Sequence, residues 1–93
     1  MYYKMADYSL LGFEPSHRKL KKYDAILQNK KTKEKIRVPF GDKRYENFTD
    51  KTGLDLYPTH SDPVRRARYR KRHRGYLRKG FYSPGWFSWN MLW

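Results

Sequence analysis

The densest chemistry in this sequence is cationic. Between Val64 and Arg74 stand Arg65, Arg66, Arg68, Arg70, Lys71, Arg72 and Arg74, and Arg78 and Lys79 follow closely. A guanidinium is a planar fork that donates paired hydrogen bonds to phosphate or carboxylate, so this run suits an anionic partner, either nucleic acid or an acidic protein surface. Tyr69 and Tyr76 stand beside these cations as rings on which bases could stack. The plainer alternative, a solvated basic face, fits seven cations in so short a run poorly. A second group is aromatic: Trp86, Phe87, Trp89 and Trp93. Trp86, Trp89 and Trp93 fall at i, i+3 and i+7, one face of a short helix. Tryptophans dominate interface hot spots, so these four rings are candidate anchors for a partner. The competing reading packs them inside the protein against Ile36, Val38 and Phe40, and both stay open at this stage.

Chemistry of other kinds has little to stand on. His17, His60 and His73 are scattered, with no i, i+4 pair and no carboxylate at ligand spacing, so no metal site is expected. Cysteine is absent, which removes disulfides and thiolate zinc sites. There is no carboxylate pair for acid–base work, no G-x-S-x-G serine and no phosphate-cradling glycine loop. Asn47-Phe48-Thr49 matches a glycosylation sequon, but no secretory leader is visible at Met1–Asp7 and the match reads as chance. No apolar run approaches the roughly 20 residues needed to cross a bilayer. Neither a catalytic residue nor a cofactor is expected, and the chain reads as a binding or assembly protein rather than an enzyme.

Composition sharpens that reading. The chain has 93 residues and a formal net charge of +13. All nine carboxylates lie at or before Asp62; residues 63–93 carry nine Lys or Arg and no carboxylate, which puts +9 of the charge in the last third. Leu, Ile, Val and Phe together number only 17, a content that normally accompanies disorder when net charge is high. Against this stand 9 Tyr, 5 Phe and 3 Trp, rings that bury large areas with few rotors to freeze. An ordered chain with a thin core is the expectation, relieved of self-repulsion by a negatively charged partner. No base-reading motif is present, so sequence-specific recognition is not expected.

The elements that must position these groups follow from spacing. Residues 1–20 carry Tyr8, Leu10, Leu11, Phe13 and Leu20 without a sustained period and read as an extended N-terminal arm ending near Pro15. A single small domain then spans 21–93. Tyr23, Ala25 and Leu27 alternate with polar or outward residues, as do Ile36, Val38 and Phe40, around the turn-prone Gln28–Lys33; this predicts a β-hairpin over about 22–40. Pro39 lacks an N–H and belongs at an edge or a strand end. Residues 41–62 read as loop. Asp62 as cap, Pro63 at the first helical position and Gly75 as stop predict a basic helix over about 63–74. Ser83-Pro84 opens a short aromatic helix in 81–93. The fold class is α+β: one hairpin, a basic helix and a short C-terminal aromatic helix.

Three blocks in this order carry a resemblance. They are Lys22–Ala25 with Val38–Glu46 and Asp50–Leu54; His60–Asp62 with Arg65-Arg66, Tyr69-Arg70 and Arg72-His73; and Tyr82–Trp89 with Leu92-Trp93. Together, over roughly residues 20–93, they resemble a family of small basic proteins of uncharacterised function from nucleocytoplasmic large DNA viruses, such as phycodnaviruses and mimivirus relatives. The resemblance implies a virus-encoded, non-enzymatic structural protein located in the virion, and in host cytoplasm or nucleus during assembly. Its expected role is a minor capsid component that bridges or cements larger capsid proteins. The alternative is a sequence-nonspecific DNA-binding, genome-packaging protein, and a weaker one is an accessory subunit of a ribonucleoprotein.

Overall fold

Strand formation starts where apolar and β-branched residues alternate. The structure, a computed structural model, describes residues 3–76 and 80–93, and the side chain of Tyr76 lies outside that description. Strands β1 (Tyr3–Lys4), β2 (Tyr8–Pro15), β3 (Lys21–Asn29) and β4 (Lys35–Asp42) come first. Helix α1 (Pro63–His73) follows and runs into a 3₁₀ turn at Arg74–Tyr76. Strand β5 (Phe81–Tyr82), helix α2 (Pro84–Phe87) and a π-helical turn (Ser88–Leu92) close the chain. The mixed α+β class, the hairpin and the two short helices agree with the sequence reading.

The hairpin is β3–β4, with Tyr23 opposite Phe40, Ala25 opposite Val38 and Leu27 opposite Ile36. This register places these six side chains on one face, while Ile26, opposite Arg37, falls on the other. Asn29 builds the connection: its side-chain Oδ1 accepts from the N–H groups of Lys31 and Thr32, while Lys33 takes a positive φ of 65°. Pro39 sits on β4, an outer strand of the order β2-β3-β4, where its missing N–H leaves no ladder partner wanting.

The N-terminal segment is extended, but it does not stand apart as an arm. Tyr8–Pro15 pairs antiparallel with β3 and completes a three-stranded sheet. A register shift between Leu10 and Gly12 bulges Leu11 outward, where it is half exposed, and lets both Leu10 and Phe13 meet the core. β1 pairs with β5 instead, bringing Tyr3 opposite Tyr82 and tying the start of the chain to its last third.

The core is one face of the sheet covered by α2 and the π turn: Tyr23, Ala25, Leu27, Val38, Phe40, Phe87, Leu92 and Trp93. Its contacts are mainly aromatic. Phe87 lies 5.4 Å from both Phe40 and Tyr82, and Phe13 meets Phe40 and Phe87 edge-on. Gly41 is required at the seam. Its φ is +78°, and a Cβ there would come within 2.9 Å of Leu92 Cδ1. On the opposite face Asp24, almost wholly buried, accepts from the Ser16 hydroxyl at 2.6 Å and pairs with Arg37 at 3.1 Å.

The loop from 43 to 62 is fastened rather than free. The Tyr23 hydroxyl donates a short hydrogen bond to Asp50 and accepts from the Leu56 N–H; burial followed by that carboxylate pushes its pKa up to about 12. Lys22 is 3% exposed, donates to Asn47 Oδ1 at 2.5 Å and lies over the Tyr57 ring; burial pulls its ammonium pKa down. The N–H groups of Thr49 and Lys51 donate to the carbonyls of Leu92 and Met91, supplying donors to helical carbonyls that have no intrahelical partner.

Candidate polyanion-binding face

Helix α1 begins because Asp62 accepts from the N–H groups of Val64 and Arg65 while Pro63 fills the first turn. Arg70, Lys71, Arg72 and His73 then crowd its last turn, where the helix dipole favours positive charge. Beyond these ends the helix has no apolar stripe of its own, and none of its residues is fully buried.

What attaches it is a face of arginines and rings. Tyr69 stacks on Trp93 at 4.3 Å with the planes 5° apart, and on its other side lies 4.1 Å from His73. The Arg66 guanidinium rests over Phe48 and that of Arg70 over Trp89, at 4.9 and 5.1 Å from the ring centres. Both donate to the backbone carbonyl of Trp93, Arg66 Nε at 3.0 Å and Arg70 Nη2 at 3.1 Å. Arg70 Nε is buried with no hydrogen-bond partner, and its pKa is lowered by burial and then by the neighbouring Arg66.

The remaining cations occupy the other side. At 100° per residue Arg65, Arg68, Lys71, Arg72 and Arg74 fall on the half of the helix opposite Arg66, Tyr69, Arg70 and His73, and all five are exposed. They span about 13 Å along the axis, from nine steps of about 1.5 Å. Among the described residues the ion pairs are Arg37–Glu14, Arg37–Asp24 and Arg44–Asp42, and none involves α1. The nearest carboxylate in sequence, Asp62, is held by the helix N-terminus. Five positive charges thus share one surface, and none is in an ion pair among the described residues.

These positions sort the groups singled out in the sequence. Arg65, Arg68, Lys71, Arg72 and Arg74 stand together on one exposed face, while Arg66 and Arg70 turn inward and serve the protein's own packing. Arg78 and Lys79 lie outside the described residues. Tyr69 is no platform for a base, because Trp93 and His73 cover both faces of its ring. The four candidate anchors divide as well. Phe87 is 0% and Trp93 8% exposed, so both are core residues and neither can enter a partner's pocket. The π turn after Phe87 also breaks the expected single stripe: Trp86 packs on Tyr82 and Phe87, whereas Trp89 and Trp93 turn toward α1. Trp86 and Trp89 stay half-buried.

Two groups near this face gave no signal in the sequence. His60 packs between Phe48 and Trp93, its Nδ1 accepts from the Asp62 N–H, and burial followed by the Arg65 charge lowers its pKa. Asn47, met in the sequence only as a sequon, is 5% exposed and receives Lys22. Among the described residues no group of three or more His, Cys, Asp or Glu is placed to hold a metal, and no helix is long and apolar enough to cross a membrane.

Neither a curated protein nor a solved structure matches the sequence significantly. Residues 11–73, which take in most of β2, the hairpin, the loop and α1, match a family of unknown function, DUF5754, and the chain belongs to that family.

Proposed function

We propose that the protein is a non-enzymatic, sequence-nonspecific nucleic-acid-binding protein, suited to packaging a genome, that lays the outward face of α1 along phosphates. The observation that carries this reading is the set Arg65, Arg68, Lys71, Arg72 and Arg74, exposed together and in no ion pair among the described residues. Phosphates neutralised by such cations release condensed counterions, and affinity then falls steeply with salt. Five contacts on duplex DNA give a log–log slope of about −4.5, or roughly a 500-fold loss between about 50 and 200 mM salt. The triple variant Arg65→Gln, Arg68→Gln, Arg72→Gln leaves two cations, a slope of about −1.8 and a loss of roughly 12-fold over the same range. Equilibrium titration of a labelled duplex at several salt concentrations measures both. Salt-independent binding, or an unchanged slope in the variant, removes the proposal.

A second reading keeps the same face but gives it a carboxylate-bearing partner, as a minor capsid component bridging larger subunits. It is favoured by the half-buried Trp86 and Trp89, and by the resemblance to small basic proteins of large DNA viruses. Stepwise disruption of purified particles separates the two: co-purification with the shell favours bridging, and release by nuclease favours packaging.

A further inference from the structure

A cleft of about 670 Å³ opens beside α1, between the end of β4, the loop after it and the start of α2. That lies within the range of about 300–1,000 Å³ common to small-molecule sites. Tyr45 gives it one exposed aromatic wall above a floor in which Phe40 and Trp93 are buried, and Asn47, Lys21 and Arg72 give it polar ones. Arg72 belongs to both surfaces, since it lines the cleft and stands on the outward face of α1. The cleft is therefore continuous with the row of cations.

One of its polar groups is set in advance. Asn47 is 95% buried by residue surface, and its Oδ1 is taken by Lys22 Nζ, which fixes the orientation of the amide. The Asn47 NH₂ makes no hydrogen bond among the described residues, and neither does the Arg72 guanidinium, so both donors are available to a ligand. Asp42, the one carboxylate on the lining, is neutralised by Arg44 at 2.7 Å, a contact that holds its pKa at about 2. Tyr45 is 62% exposed, and the Arg44 guanidinium lies 5.7 Å from the centre of its ring. Such a ring costs little to cover and has a face to offer.

An exposed aromatic ring, an amide held in orientation by Lys22 and phosphate-binding cations at the rim match one kind of occupant. The geometry points to an unpaired nucleobase, inserted from a single strand whose phosphates run along Arg72, Arg68 and Arg65. This rests on the nucleic-acid reading above and adds a strand preference to it. Charge alone predicts the reverse, because duplex DNA carries more charge per length and its slope per contact is steeper, about −0.9 against −0.7. A base in a duplex keeps both faces stacked and cannot enter.

The test is fluorescence anisotropy with a labelled oligothymidylate and a duplex of equal phosphate count, at one salt concentration. Stacking one base on a ring raises affinity by about 5- to 150-fold, so the single strand should bind at least about fivefold more tightly than the duplex. Tyr45→Ala should abolish that preference and leave duplex binding as it was, while Tyr45→Phe retains it. Because Tyr45 is so exposed, a thermal melt of Tyr45→Ala should coincide with that of the parent protein. Equal or tighter binding of the duplex by the parent protein overturns the base-cleft inference and leaves the proposed function standing. A preference that survives in Tyr45→Ala overturns the assignment to this cleft. Binding of neither oligonucleotide overturns the proposed function, and the inference with it.

Discussion

Replacing Trp93 by alanine asks whether the terminal aromatics belong to the core or to a partner. The ring is 8% exposed, lies face to face with Tyr69 at 4.3 Å and stands 5.2 Å from His60. Truncating a buried aromatic to alanine costs about 3–5 kcal/mol, and slight exposure of this ring favours the lower part, about 3–4. The backbone carbonyl that Arg66 and Arg70 hold survives the substitution, so the loss measures the ring and not the clamp. A domain of this length has about 5–14 kcal/mol in total, from roughly 0.05–0.15 per residue. At about 4–8 °C per kcal/mol the melting temperature should fall by roughly 12–30 °C. Far-ultraviolet circular dichroism of the isolated protein, parent and variant at one salt concentration, reads this directly. A fall of less than about 4 °C, under 1 kcal/mol, would refute the packing argument and restore Trp93 as a free anchor.

Two further outcomes test other joints of the fold. Gly41→Ala should lower stability by about 2–4 kcal/mol, combining a disfavoured left-handed backbone with a Cβ driven into Leu92; Gly53→Ala shares the positive φ but meets nothing within 4 Å and should cost only about 1. Urea titration checks both, and equal losses would discard the steric part. Burial and Arg65 hold the His60 pKa below its ordinary value, so the unfolded chain takes up this proton first. Stability from His60 is therefore complete above about pH 6.5 and is lost as pH falls from there through the folded value. The acid limb of a melting-temperature profile should flatten in His60→Asn, whose Oδ1 can still accept from Asp62; an unchanged limb contradicts the assignment.

How far the sequence reveals this molecule depends on which forces each part uses. The hairpin was legible because Tyr23, Ala25 and Leu27, and then Ile36, Val38 and Phe40, keep a strict period of two. β2 was not, because the bulge at Leu11 puts Leu10 and Phe13 three apart and destroys the alternation that marks a strand. Helix α1 was legible from its ends, Asp62-Pro63 and Gly75. Its inward face was hidden, since Arg66, Arg70 and His73 look like solvent residues until Phe48, Trp89 and Trp93 are brought to them by the chain's long-range topology. The same cause left Phe87 and Trp93 open between core and partner: aromatic spacing identifies a buried stripe but not whose surface buries it. The cleft was illegible altogether, because Lys21, Tyr45, Asn47 and Arg72 converge only after the sheet, loop and helix have packed.

That division of α1 has a physical consequence for how it meets a polyanion. A helix of eleven residues is marginal in water on its own, and like charges at i, i+3 and i+4 such as Arg65–Arg68 and Arg68–Arg72 oppose it by about 0.2–0.5 kcal/mol each. The forces that hold it come from Asp62, from the Tyr69 stack and from the two guanidiniums on the Trp93 carbonyl, and none involves an outward cation. Outward charges can therefore be removed without loss of the helix, and relief of repulsion offsets what little packing their stems supply. A phosphate backbone arriving at this face meets cations already arrayed on an ordered helix, so binding carries no helix-forming entropy cost. In a disordered basic tail the same charges would have to be ordered by the ligand. The thin aromatic core thus has a use beyond stability: it keeps five mutually repelling cations in one place.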